Sequence, residues 1–272
     1  MDEVGHTAIF REGRLIADTG MGFMPTISAA INGLYETFGR YPRPERIECC
    51  PCGCTKPDAT DPLLVTSLRG LRFLELADYS FSAMTTQGSV DDFRYFLPRL
   101  LQGIAEEPYS YSSETIFHKL SYAKWATWPA GEQASLKRYL NALWQCSLGS
   151  FPIEEHLPAF FEIETVLSSI AQTGEPLSPY LTVWAETTTK AADEHLIQFV
   201  TMYGTAFTNG ETFNDGFWRD APSQALELRR WLLQPKTLLR TRKAAYLLRN
   251  DGFEHLFPPS VEALEAESVR ST

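Results

Sequence analysis

The chain has 272 residues, of which 44% are apolar and 21% charged, as in an ordinary globular protein with a sizeable core. Its formal net charge of -10 disfavours non-specific nucleic-acid binding, which depends on Lys and Arg neutralising phosphates, and it suits a basic partner. The sequence contains neither a long apolar run nor a start that resembles a signal peptide, so we expect a cytoplasmic protein that does not enter membranes.

The first 25 residues differ in pattern from the rest of the chain. Two short apolar runs around Gly13 predict a small β-hairpin or a tethered arm at 1–25. From Thr26 onward, apolar residues recur at intervals of three and four, which predicts a single helical domain over 26–272. A Cys- and Pro-rich loop at 43–62 interrupts this pattern.

The clearest predicted helix follows Ser89, where an apolar stripe runs from Val90 to Ile104. Pro98 and Pro235 are expected to kink or split the helices that contain them. Nine or ten helices with hardly a strand predict an all-α fold, arranged as an irregular multi-helix bundle or as a HEAT-like superhelix. The other helical patterns cover 113–128, 131–148, 154–171, 179–186, 190–207 and 223–248.

Four of the five cysteines fall within six residues, at Cys49, Cys50, Cys52 and Cys54. Thiols clustered on a loop are typical of metal or redox chemistry, since structural cysteines are usually scattered through a core. The spacing of Cys49 and Cys52 lets two thiolates reach one tetrahedral zinc ion, and Cys54 adds a third sulfur. No second ligand pair follows, so a tight site would need Cys146 or a distant histidine. Zinc binding, thiol-redox chemistry and a metal-free loop all stay open.

Paired acidic residues along the chain are candidates for acid–base work or for acidic metal ligands. The Glu-x-x-His pattern of helical di-metal sites does not occur, and neighbours one residue apart on a helix point in different directions. We therefore predict that these groups form solvated helix faces. The set comprises Glu106, Glu107, Glu154, Glu155, Glu162, Glu164, Asp193, Glu194 and the adjoining His195.

Two stretches combine polar and aromatic residues as recognition surfaces do. Tyr109 and Tyr111 precede a predicted helix, and Asp215 and Trp218 lie in a loop rich in turn residues. We predict that these four residues bind a partner, with packing of the loop aromatics on the core as the alternative. The tryptophans at helical spacing are predicted to be core residues, namely Trp125, Trp128 and Trp144.

Positive charge concentrates between residues 229 and 249, against the acidic total. The cations there cover several helix faces, so a phosphate-binding stripe is only weakly indicated. The sequence contains no Walker loop, Rossmann fingerprint, nucleophile elbow, kinase signature or zincin motif. The absence of these motifs lowers the expectation of an enzyme without excluding one.

Three features together suggest a family: the Tyr41-Pro42-Arg43-Pro44 stretch with its cysteine loop, the 91–101 segment, and the Trp-bearing helices up to Trp144. In these features the chain resembles a group of uncharacterised bacterial all-helical proteins, over roughly residues 34–148. The resemblance implies a bacterial helical protein. It implies no activity and no catalytic residue.

These patterns predict a protein whose function is to bind another protein. An acidic helical chain without enzyme motifs fits an immunity or antitoxin-type factor that neutralises a basic toxin domain, because complementary charge speeds association. The alternative is a metal-binding (zinc) or thiol-redox protein centred on the loop from Cys49 to Cys54.

Overall fold

The computed structural model describes residues 26–51, 61–107, 113–151, 162–207, 216–247 and 257–270. About 78% of these residues lie in α- or 3-10 helices, and none of them lies in a strand. The predicted all-α fold is therefore confirmed. The predicted arm or hairpin at 1–25 falls outside the described residues.

Twelve α-helices are present in the described ranges, and among them none has the length and apolar character needed to cross a membrane. They are α1 (Ile27–Phe38), α2 (Asp61–Val65), α3 (Ala77–Ser82), α4 (Val90–Glu106), α5 (Ser113–Tyr122), α6 (Ala130–Gly149), α7 (Ile163–Gln172), α8 (Ser178–Glu186), α9 (Lys190–Tyr203), α10 (Pro222–Leu232), α11 (Pro235–Leu247) and α12 (Phe257–Arg270).

One hydrophobic core joins most of these helices. Helix α1 packs on both α4 and α6, α5 packs on α7, and α9 packs on α11 and α12. Since α1 contacts a helix five places later in the chain, the helices do not stack as successive hairpins. The arrangement is an irregular bundle rather than a HEAT-like superhelix. The three tryptophans predicted to be core residues are each less than 5% exposed.

Helix α4 begins with a capping box and continues through a proline. The Ser89 hydroxyl accepts the N–H of Asp92, and the Asp92 carboxylate accepts the N–H of Ser89. The helix is not split at Pro98, because Leu97 and Leu100 on either side are fully buried and hold it in the core. A Cβ placed at Gly103 would lie 1.9 Å from a ring carbon of Phe73, so glycine permits this close packing.

The other predicted boundaries were partly right. The break near Pro235 is confirmed, since α10 ends at Leu232 and α11 begins at Pro235. The 113–128 pattern ends early, because Lys124 adopts a left-handed conformation (φ 53°) after α5. The short helices α2 and α3 and the C-terminal α12 were not predicted.

Candidate functional site

The described end of the cysteine loop is bonded to the turn between α3 and α4. The N–H of Cys50 donates to the carbonyl of Thr86 at 2.8 Å, and the N–H of Gly88 donates to the carbonyl of Glu48 at 2.7 Å. Between these bonds, Cys49 and Gln87 form an isolated antiparallel bridge. Residues 48–50 are therefore held against the turn that directly precedes α4.

The turn that receives the cysteine segment is itself strained. Met84 adopts φ 61°, a conformation that side chains with a Cβ rarely take, and its N–H donates to the carbonyl of Gln87 at 2.7 Å. The carbonyl of Ser82 accepts the N–H groups of residues 85, 86 and 87. Strain of this kind costs about 1–3 kcal/mol and persists where neighbouring bonds enforce it, often at functional sites.

The exposed side chains around this junction are acidic and apolar. Segments 45–50 and 78–91 carry four carboxylates, all of them exposed, against a single guanidinium at Arg46. Phe81 is 44% exposed and Val90 is 37% exposed. We call this set the cysteine face, comprising Glu45, Glu48, Cys49, Asp78, Phe81, Val90 and Asp91.

Two of the four carboxylates have no cation beside them among the described residues. Glu48 pairs with Arg46 at 2.7 Å, and Asp91 pairs with Arg94 at 3.1 Å. Within the described residues, no Lys, Arg or His lies within 4.0 Å of the carboxylates of Glu45 and Asp78. The cysteine face therefore carries net negative charge that the fold itself does not neutralise.

The cysteines themselves are in different states. Cys49 has a free, exposed thiol, whereas Cys50 is disulfide-bonded. A disulfide sulfur is not a thiolate, so in this state Cys50 is not the zinc ligand that the sequence suggested. Cys52 and Cys54 lie outside the described residues, and the zinc site stays a prediction for them.

No other described residue completes a metal site. Cys146 lies on α6, where burial raises the pKa of its thiol, and His118 lies on α5. The described ranges contain no group of three or more His, Cys, Asp or Glu side chains that could hold a metal ion.

One of the four predicted partner-binding residues lies in the described ranges. Trp218 is only 2% exposed, and its indole N–H donates to Oε1 of Glu164 at 2.7 Å. The ring packs on the core, so Trp218 does not present a surface to a partner and its predicted role is corrected. Tyr109, Tyr111 and Asp215 lie outside the described residues.

The prediction of a solvated face was wrong for His195, which is fully buried. Its Nε2 lies 2.9 Å from the carbonyls of both Ser147 and Ser150, at the C-terminal end of α6. Both carbonyls can accept, although the carbonyl of Ser147 also accepts the N–H of Ser150 at 3.2 Å. Nε2 therefore carries the proton, Nδ1 is bare and has no hydrogen-bond partner in the described ranges, and burial lowers the pKa of the ring.

Polar side chains also fill the interface between α5 and α7. The hydroxyls of Ser113 and Ser169 lie 2.9 Å apart, and the hydroxyl of Ser168 donates to Oε1 of Glu114 at 3.2 Å. Burial raises the pKa of Glu164 on the same helix, which corrects its assignment to a solvated face. The hydroxyls of Ser113, Ser168 and Ser169 and the carboxylate of Glu114 therefore bond to one another across the interface, whereas Glu164 accepts the indole N–H of Trp218.

This polar interface does not assemble a nucleophile. The ring Nδ1 of His118 lies 3.1 Å from Oε1 of Gln172, whose Nε2 donates to the carbonyl of Phe217. In the described ranges no serine hydroxyl of the interface bonds to a histidine, whereas nucleophilic catalysis needs such a pair. The interface is therefore best understood as a packing element.

Glu132 is the most enclosed charged side chain near the cysteine face. It is 1% exposed and accepts a hydrogen bond from the hydroxyl of Tyr41 at 2.6 Å. Arg40 forms an ion pair with the same carboxylate, and Nε of Arg94 lies 3.7 Å from its other oxygen. Arg94 also lies over the ring of Trp128, 4.4 Å from its centroid. This cluster ties α1 and α4 to the first turn of α6.

Comparison with protein-family models, curated proteins and solved structures finds no match to this chain. The resemblance to a group of bacterial helical proteins therefore stays a prediction. Inference about function depends on the residues and their geometry.

Proposed function

We propose that the chain is a protein-binding factor of the immunity or antitoxin type, which covers a basic domain of a partner with its cysteine face. The observation that carries the proposal is the composition of that face, where two hydrogen-bonded segments carry carboxylates without a cation in the described residues together with two exposed apolar side chains. Carboxylates steer a basic partner into place, and apolar groups supply the contact area that holds it.

The construction of the face supports this role. Backbone hydrogen bonds fix residues 48–50 to the turn at 82–88, so the backbone that carries these side chains is ordered before any partner arrives. A surface that is already ordered loses less conformational entropy on binding. Within the described part of the chain, the carboxylate of Asp78 forms no ion pair, so a partner would not have to break one in order to bind it.

A matched pair of double variants tests the proposal. Asp78→Asn with Phe81→Ser removes one carboxylate and one apolar contact from the face. Glu186→Gln with Val269→Ser makes the same chemical changes at exposed positions on α8 and α12. The tagged wild-type protein is used to isolate partners from its native cells, and a basic partner identified in this way is then purified for binding measurements.

We expect the face variant to raise the Kd for that basic partner by about tenfold or more, which corresponds to about 1.4 kcal/mol. The control variant should bind as the wild type does. Equal binding by both variants would contradict the proposal, as would a partner of acidic net charge.

A second candidate function is thiol-redox chemistry at the cysteine loop. It is supported by the exposed free thiol of Cys49 next to the disulfide-bonded Cys50, since a thiol beside a disulfide is the combination that exchange reactions use. Zinc binding by all four cysteines would first require reduction of the disulfide.

Thiol counting and metal analysis separate these alternatives. The redox candidate predicts that the native protein holds no stoichiometric zinc and that the number of reactive thiols rises after mild reduction. One zinc per chain after reduction, with a melting temperature that falls on chelation, would favour the metal site instead.

A further inference from the structure

Six of the cations between residues 229 and 249 lie in the described part of the chain, and they separate into two groups. Three are neutralised by carboxylates of other helices: Arg229 by Glu267, Arg240 by Asp193, and Arg242 by Glu265. Arg230, Lys236 and Lys243 are exposed, and no carboxylate of the described residues lies within 4.0 Å of them. In an acidic protein, cations left unpaired on one segment call for a separate explanation.

Two of these unpaired cations line a groove between α8 and the corner formed by α10 and α11. The groove has a volume of about 250 Å³, and Arg230 and Lys236 both line it. Pockets for drug-sized molecules span about 300–1,000 Å³, so this groove suits a smaller ligand. Its apolar lining comprises Leu181, Ala185 and Trp231, and the remaining residues are Ser178, Thr182, Glu227 and Gln234.

The indole of Trp231 forms part of the apolar wall of the groove and differs from the other indoles of the chain. The other five tryptophans donate their indole N–H to a protein acceptor at 2.7–3.1 Å. Trp231 is 6% exposed and stacks on Trp184, yet its Nε1 has no hydrogen-bond partner in the described part of the chain. That nitrogen has less than 1 Å² of accessible surface, so a ligand in the groove meets the ring of Trp231 rather than its N–H.

The backbone adds further positive potential. Helix α11 has 13 residues and starts at the groove, and the positive end of its dipole lies at Pro235 and Lys236. The one carboxylate in the lining, on Glu227, already accepts the N–H of Ser178 at 2.8 Å. The groove therefore offers two cations and a helix N-terminus against a single carboxylate, which is hydrogen-bonded to the backbone of the groove wall.

We propose that this groove binds a small carboxylic acid with an apolar body. The ligand carboxylate pairs with Arg230 and Lys236, and its apolar part lies against Leu181, Ala185 and Trp231. Binding places the ligand beside the ring of Trp231, whose indole resonance therefore reports it. This small-molecule site is distinct from the cysteine face and does not depend on the proposed partner.

Indole nitrogen–proton resonances in the ¹⁵N-labelled protein test the assignment. The chain gives six such resonances, and the one that disappears in Trp231→Phe belongs to Trp231. Benzoate is the probe, with benzamide as its neutral counterpart and inorganic phosphate as an anion without an apolar body. We expect benzoate to shift the Trp231 resonance saturably, and both other probes to bind at least about tenfold more weakly.

A charge-removal variant and a matched control complete the test. Arg230→Gln with Lys236→Gln should raise the Kd for benzoate about tenfold or more, whereas Lys124→Gln with Arg138→Gln, at exposed sites elsewhere, should not change it. Unchanged melting temperatures would show that both variants fold. No saturable shift with benzoate, an equal response to benzamide or phosphate, or full binding by the Arg230/Lys236 variant would overturn the proposal.

Discussion

Buried and exposed carboxylates serve different purposes in this chain. Glu132 is enclosed and engaged by Tyr41, Arg40 and Arg94, whereas Asp78 on the cysteine face is exposed and has no cation within 4.0 Å among the described residues. The first arrangement joins α4 and the segment after α1 to the first turn of α6. The second forms no ion pair within the described residues, and its interaction with the fold is that of an exposed acid in the first turn of α3.

The contrast shows how to interpret the net charge of -10. A total cannot distinguish carboxylates that the fold uses from those that remain available to a partner. Only the partners of each side chain separate the two groups, and on the cysteine face Glu45 and Asp78 belong to the second group within the described residues. The predictions below test whether the separation is real.

A large effect is expected at Glu132. Glu132→Ala leaves the Tyr41 hydroxyl without its acceptor and leaves Arg94 with Asp91 as its remaining carboxylate, and losing a buried acceptor in this way costs about 1–3 kcal/mol. The free energy of unfolding, measured by denaturant titration, should fall by that amount. Glu186→Ala, at an exposed site, should change it by less than about 0.5 kcal/mol. Equal small effects would mean that the Glu132 cluster does not join the helices.

Helix α4 offers a contrast between its core and its cap. Phe96→Ala empties a fully buried site and should cost about 3–5 kcal/mol. Asp92→Ala removes the acceptor for the N–H of Ser89 and should cost about 1 kcal/mol. Denaturant midpoints that shift equally would show that the buried face of α4 is misassigned.

Sequence patterns predict those elements whose signal is local. Helix α4 and the core tryptophans follow from apolar spacing, and the break before α11 follows from Pro235. Helices α2 and α3 have only five and six residues, which is too short for a period to be recognised.

The cysteine face could be predicted only in part. The cysteine cluster and the acid pair at the start of α4 are visible in the sequence. The bridge from Cys49 to Gln87 joins residues 38 positions apart, and no local pattern encodes it. His195 was misplaced for the same reason, because the carbonyls that it satisfies belong to another helix.

His195 should make stability depend on pH. Its pKa in the folded protein lies below the ordinary value of 6.5, so the unfolded chain takes up the proton first as the pH falls. The stability that the neutral ring contributes to the folded protein is fully present above about pH 6.5. It is lost as the pH falls towards the pKa of the ring in the folded state.

His195→Gln keeps a donor for the α6 carbonyls and removes this titration. Between pH 7.5 and 5.5 the wild type should lose up to about 1.4 kcal/mol per pH unit more than the variant. Between pH 7.5 and 8.5 the two should change in parallel. If the unfolding free energies of the wild type and the variant also changed in parallel between pH 7.5 and 5.5, His195 would not be buried as a neutral ring.

The smallest expected effect on stability is at the cysteine face. Asp78→Asn removes an exposed charge with no cation in the described ranges, so the free energy of unfolding should change by less than about 0.5 kcal/mol. A clear loss of stability, seen as a shifted denaturant midpoint, would place Asp78 with the structural carboxylates instead.

The most direct test of the central claim is the salt dependence of association between the chain and its purified partner. Stopped-flow rates are measured from low ionic strength to about 0.5 M, where the Debye length falls well below 8 Å. If the cysteine face steers a basic partner, the wild-type rate constant should fall at least about tenfold, and Asp78→Asn should lower it at low salt. A rate that does not respond to salt, with Asp78→Asn equal to wild type, would contradict the account.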